Sequence, residues 1–232
     1  MLNENFRFAT NKEENTFKEM CAGFNLILHK ESNKMRLKEQ LESVQTKTQC
    51  NWENRSPLFI SCEKGHYSIV QSLIKSTSDL INRCDEERLS PLFVACEKRK
   101  VEIAKILNGA KINSVDIRNH SPFYAACRSD YLEVVKLLKT KSAASGIYNI
   151  WGGSPLFVAS RESHFNVVEF LINLKSDVSK ADSNGKTKLI VVCEEVNVNI
   201  VAFLIESGAN VNHCENERDL HCMSHALVDM RI

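Results

Sequence analysis

The sequence has almost no net charge: 30 Lys and Arg face 29 Asp and Glu over 232 residues, a formal total of +1. That balance removes any bulk electrostatic case for binding nucleic acid or an acidic membrane surface. Long apolar runs are missing as well. A bilayer span needs roughly 20 predominantly apolar residues, and the best candidate, Phe24 to Leu28, is short and interrupted by Asn25. The opening residues, Met1-Leu2-Asn3-Glu4-Asn5, have neither the basic start nor the apolar run of a secretory signal. Catalytic signatures are absent too: there is no Gly-x-Ser-x-Gly, no His-Glu-x-x-His and no kinase set. Glycine-rich phosphate loops are also lacking, since the nearest stretch, Trp151-Gly152-Gly153-Ser154, has a backbone explanation in a turn.

What the chain does contain is one heptapeptide repeated in register. Ser90-Pro91-Leu92-Phe93-Val94-Ala95-Cys96 has close relatives at Ser56 to Cys62, Ser121 to Cys127 and Ser154 to Ser160. A fifth, Thr187 to Cys193, keeps the frame but has Lys188 in place of proline. Measured at the proline position, the steps are 34, 31, 33 and 33 residues. Self-similarity at that period means a stack of supersecondary units and not one globular core. Ser before Pro is a helix start: the hydroxyl caps an orphan amide, and proline at the first helical position loses no bond. The small residue four places on (Ser61, Ala95, Ala126, Ala159) admits a close neighbour. A second apolar pattern follows each heptapeptide, for example Val134, Val135, Leu137, Leu138 and then Val167, Val168, Phe170, Leu171. Its spacing makes one apolar face at helical period, so each unit reads as two short antiparallel helices and a connector.

These units resemble ankyrin repeats, whose hallmark is Thr-Pro-Leu-His-x-Ala at the start of the first helix. Phe203 to Asn212, with Ser207-Gly208-Ala209-Asn210, is similar to the family's second-helix ending and turn. The resemblance implies an all-α solenoid of stacked helix-turn-helix repeats with short β-hairpin-like turns. It covers units near 51–84, 85–115, 116–148, 149–181 and 182–212, with a partial sixth over 213–232. Three departures stand out. The family's turn-fixing His is replaced by Phe59, Phe93, Tyr124, Phe157 and Ile190, which predicts a packed ladder in its place. The turn Gly is Asn54 and Asn119 in two units, a mild exchange because Asn tolerates a left-handed backbone, but Arg88 in another. At the turn between helices only Gly65 suits a left-handed residue, whereas Arg99, Asp130, Ser163 and Val196 do not.

Residues 1–48 carry no repeat motif. Glu13 to Leu28 and Lys34 to Val44 read as helical, a cap on the array or a degenerate repeat, with a separate module as the third option. Nine cysteines invite a disulfide reading, and the frame argues against it. Cys62, Cys96, Cys127 and Cys193 share one frame position, where a small apolar residue is buried between helices, so reduced structural thiols are expected. His213, Cys214, His221, Cys222 and His225 fall close together, and Cys and His donors suit zinc. The plainer reading makes His221 the turn His of the broken sixth unit. No metal or cofactor is therefore expected, with a metal- or redox-responsive protein kept as the alternative. A fragment of a larger receptor or ligase subunit is a further one.

The family resemblance implies a non-catalytic scaffold that binds a partner protein. A monomer is expected, and the odd cysteine count without an export signal points to the cytoplasm or nucleus. The charge balance and lack of long apolar runs argue against nucleic acid and membrane. The variable positions of the concave face map here to Trp52, Glu53, Arg55, Glu63 and Lys64, then to Glu86, Glu87, Leu89, Glu97 and Lys98. In the third unit they are Ile117, Arg118, His120, Arg128 and Ser129, and in the fourth Ile150, Trp151, Gly153, Arg161 and Glu162. The fifth offers Ser183, Asn184, Lys186, Glu194 and Glu195. Both tryptophans of the chain lie in these turns, off the apolar helix positions. Trp is enriched among interface anchors, so Trp52 and Trp151, joined by Ile117 and Ile150, are the expected centre of the face.

Overall fold

The computed structural model describes residues 50–211 apart from residues 52, 77 and 196. The expected helices before residue 49 and the His/Cys cluster at 213–225 lie outside the described residues. Within them the heptapeptide opens a helix each time it recurs. The helices come in pairs: α1 (Pro57–Lys64) with α2 (Tyr67–Ser76), α3 (Pro91–Glu97) with α4 (Val101–Ile106), and α5 (Pro122–Arg128) with α6 (Leu132–Thr140). Then follow α7 (Pro155–Arg161) with α8 (Phe165–Asn173), and α9 (Lys188–Glu194) with α10 (Val198–Glu206). The uneven steps have a local cause. α4 is six residues long against nine for α6, which shortens that unit. α2 has ten and is followed by a 3-10 helix, Ser78–Asn82, which lengthens the first.

Each first helix starts as its sequence dictates. The hydroxyls of Ser56, Ser90, Ser121 and Ser154 accept the N–H of the residue three on, at 3.1, 3.1, 3.1 and 3.0 Å. Thr187 does the same for Ile190 at 3.3 Å without a following proline. Each such cap is worth about 1 kcal/mol.

Termination departs from the sequence reading. Gly65 turns left-handed as expected, at φ 85°, but Arg99, Asp130 and Ser163 adopt the same conformation at φ 60°, 55° and 60°. The next residue's N–H closes back on the helix in every unit. His66, Lys100, Tyr131, His164 and Asn197 donate to the carbonyls of Ser61, Ala95, Ala126, Ala159 and Val192. This closure and the docking of the second helix hold a bulky residue where isolated propensity disfavours it, at a cost of about 1 kcal/mol each. Val196 lies outside the described residues.

First helices stack on first helices and second on second, giving two helical layers. The first layer is apolar almost all round: in α3, Pro91 through Cys96 are all buried, and only the C-terminal end reaches solvent. Second helices bury a single stripe, such as Val134, Val135 and Leu138 in α6. The ladder that replaces the family's His is buried throughout, at Phe59, Phe93, Tyr124, Phe157 and Ile190. The aligned cysteines are buried, and burial pushes the thiols of Cys62, Cys96 and Cys127 well above the ordinary range. A thiol so held is neither nucleophile nor ligand at neutral pH. In the fourth unit Ser160 takes the same position, and its hydroxyl has no hydrogen-bond partner. Lys188 is also buried; its ammonium donates to the Lys180 carbonyl at 2.7 Å, and desolvation pulls its pKa down to about 8.

Candidate partner-binding face

Each first helix is preceded by a five-residue finger organised by an Asx residue. Asn51, Asp116, Asn149 and Asp182 accept, through one side-chain oxygen, the N–H groups two and four residues on, at 2.7–3.0 Å. Asp85 accepts from Leu89 at 2.9 Å. The main chain closes over the same span, as from Asp116 N–H to the His120 carbonyl at 3.0 Å. A left-handed residue completes the turn: Asn54, Arg88, Asn119, Gly152 and Gly185 all have positive φ, so Arg88 takes the turn in spite of its side chain. Both asparagines also reach forward, Asn54 to the Cys84 carbonyl at 3.2 Å and Asn119 to that of Tyr148 at 2.6 Å. Gly152 has a second reason to be glycine, since a Cβ there would come within 3.0 Å of the Ser183 nitrogen.

The fingers are tied to one another by a single main-chain bond per step. Glu86, Ile117, Ile150 and Ser183 donate to the carbonyls of Glu53, Glu87, Arg118 and Trp151, at 3.2, 3.0, 3.0 and 2.8 Å. Rigidity here comes from the backbone, which leaves the tip side chains free to differ.

A model of the family described as ankyrin repeats (3 copies) matches residues 24–116 and 122–215. The chain belongs to the ankyrin repeat family. No curated protein matches it. Ankyrin repeats are in general protein–protein interaction modules, typically without catalytic activity, and this array is an ankyrin-type helical solenoid. Among the described residues no helix is long and apolar enough to cross a membrane, and no His/Cys/Asp/Glu group is arranged to hold a metal ion.

Within the ankyrin array the expected face residues divide by what they touch. Ile117, Ile150 and Trp151 are exposed, at 53, 59 and 46%. Glu86, Glu87, Arg118 and Arg161 are exposed too, the last paired with Glu162 at 2.8 Å. Trp52 lies outside the described residues. Leu89 is half-buried against the core. Arg55 is engaged within the array, 3.0 Å from Glu53, 3.3 Å from Asp85 of the next finger, and stacked over Phe59. Lys186 is held 2.6 Å from Glu194, and Arg128 is bonded to Glu97.

His120 is the clearest departure from the expected surface. It is buried, its Nδ1 lies 3.0 Å from Asp116 Oδ2, and its ring stacks on Tyr124 with centroids 4.4 Å apart. Desolvation lowers its pKa in spite of the Asp116 carboxylate. The Trp151 indole leans on this ring, centroid to centroid 6.2 Å, and Asn149 donates to the Tyr124 hydroxyl at 3.1 Å. Tyr124, His120 and Trp151 thus form a column from core to tip that joins the third and fourth fingers. Frame position alone marks His120 as a tip residue. Only its Asx neighbour four residues back hints that the ring is retained.

Proposed function

We propose that the chain is a non-catalytic scaffold, monomeric and working in the cytosol or nucleus, that binds another protein across its fingers and first-helix ends. The observation that carries this reading is the apolar line at the finger tips. Ile117, Ile150 and Trp151 are large and exposed on two adjacent fingers, held in place by main-chain bonds that do not depend on those side chains. Exposing Ile117 and Ile150 gains nothing for the fold, and nearly half of Trp151 is left to solvent. Large apolar side chains rimmed by charge are the usual anchor of a protein interface. Arg118 and the ends of α5 and α7 supply that rim, with Arg128 and Arg161. The family's general role as interaction modules supports the same reading.

Affinity capture followed by mass spectrometry, wild type against Trp151→Ala and Ile117→Asp, tests it. A partner recovered by wild type is expected to be lost from both variants, with Kd raised at least about 30-fold for Trp151→Ala, the hot-spot scale of about 2 kcal/mol. Equal capture by all three proteins, at unchanged melting temperature, contradicts the assignment of the face.

A further inference from the structure

The charges of the face are not spread evenly along the array, and their order selects a partner chemistry. The second finger carries exposed Glu86 and Glu87 next to Arg88, and the end of α9 carries exposed Glu195 beside Glu194, which is paired with Lys186. Between these acidic ends the basic charges gather around the apolar column. Arg118 and Arg128 lie near enough to His120, and Arg128 and Arg161 to Tyr124, to act on them electrostatically, together with the carboxylates of Asp116 and Glu162. Two of these arginines are already held on the array, Arg128 by Glu97 and Arg161 by Glu162. Arg118 is exposed at the tip beside Ile117, and among the described residues it is in none of the ion pairs, which engage Arg55, Arg128 and Arg161. A guanidinium beside a large apolar surface is matched by a carboxylate beside a large apolar side chain. Such a pair is selected by the charge at Arg118, and the same pair is opposed by the exposed Glu86, Glu87 and Glu195 if it slides along the array.

We propose that the partner meets the third and fourth fingers with a segment that sets an acidic side chain beside a large apolar one. The carboxylate sits on Arg118, and the apolar group sits on Trp151, Ile117 and Ile150. This rests on the reading of the finger tips as the binding face, and the exposed acids Glu86, Glu87 and Glu195 on either side bias the register of the segment.

The test is selection from a displayed library of random peptides against the full chain, followed by titration of the enriched peptides as synthetic probes. Enriched sequences are expected to carry Asp or Glu within a few residues of an aromatic or aliphatic side chain. Their affinity should fall at least tenfold in Trp151→Ala and in Arg118→Glu, with Arg118→Gln intermediate, and should weaken with added salt. Replacing the peptide's acid by Lys should restore binding to Arg118→Glu. Peptides that need Trp151 but show no acidic preference, and bind Arg118→Glu as well as wild type, overturn this inference and leave the face intact. Peptides indifferent to Trp151→Ala, or a library that yields no Trp151-dependent sequence, overturn the face and the inference together. A thermal melt of each variant separates lost binding from lost fold.

Discussion

Replacing Lys188 by Met should stabilise the protein at neutral pH, and the gain should shrink as pH rises. Lys188 stands where the other units have proline, with its ammonium buried and satisfied by one carbonyl 2.7 Å away. Its pKa falls from the ordinary 10.5 to about 8, chiefly through desolvation, with Asp177 opposing the fall. At about 1.4 kcal/mol for each tenfold loss of proton affinity, the buried charge costs about 3 kcal/mol. Met keeps the volume and removes the charge, but it forfeits a hydrogen bond from a charged donor, worth about 1.5–3 kcal/mol. A net gain of up to about 2 kcal/mol at pH 7 follows, a rise of up to several degrees in melting temperature.

The sign of the pH dependence is fixed by linkage. The unfolded chain holds this proton up to pH 10.5 and the folded chain only up to about 8, so the wild-type deficit is complete below pH 8 and relieved on the way to 10.5. By pH 9.5 about 2 kcal/mol of the difference should have gone, and the wild type should match or exceed Lys188→Met. The buried thiols titrate in the opposite sense over the same range, which is why the difference between the two proteins is the useful quantity. Urea unfolding of both at pH 7 and 9.5 measures it. A variant less stable than wild type at pH 7, or an advantage equal at both pH values, refutes the reasoning.

Ser160→Cys restores the column residue and removes a buried hydroxyl without a partner, which should add about 1–2 kcal/mol in urea unfolding. Ser121→Ala, which removes the α5 cap, should cost about 1 kcal/mol in the same assay. Arg99→Gly should stabilise by up to about 1 kcal/mol, because the left-handed turn then needs no Cβ. With its buried charge and no proline, the fifth unit should open first. Hydrogen exchange over 186–211 should run ahead of 90–172, and uniform protection would count against that order.

Much of the fold was legible because the heptapeptide encodes its own helix start: Ser caps, Pro begins, and an aromatic and a small residue pack. The buried positions of Phe59 and Cys96 follow from the frame alone. The turns at Arg99, Asp130 and Ser163 were not legible, since closure bonds and helix docking decide them against local preference. The face was legible only in part, because frame position states where a side chain starts and not where it ends. Ile117 and Ile150 do reach solvent. His120 shares the finger of Ile117 but turns inward, where the Asp116 carboxylate and the Tyr124 ring receive it. Arg55 is engaged by an acid 30 residues away on the next finger, a contact that only the stacked array creates, and Lys186 by one 8 residues away that the fold of its own unit brings near. Lys188 reads as a surface residue, yet its side chain fills core volume in the proline's place.

Amide chemical-shift mapping of the complex with a captured partner, or with a selected peptide, tests the central claim most directly. Perturbations are expected at 86–89, 117–120 and 150–153 and at the ends of α5 and α7, with the outer faces of α6, α8 and α10 silent. Shifts centred on those second helices, with the fingers unmoved, would contradict the assignment of the binding face.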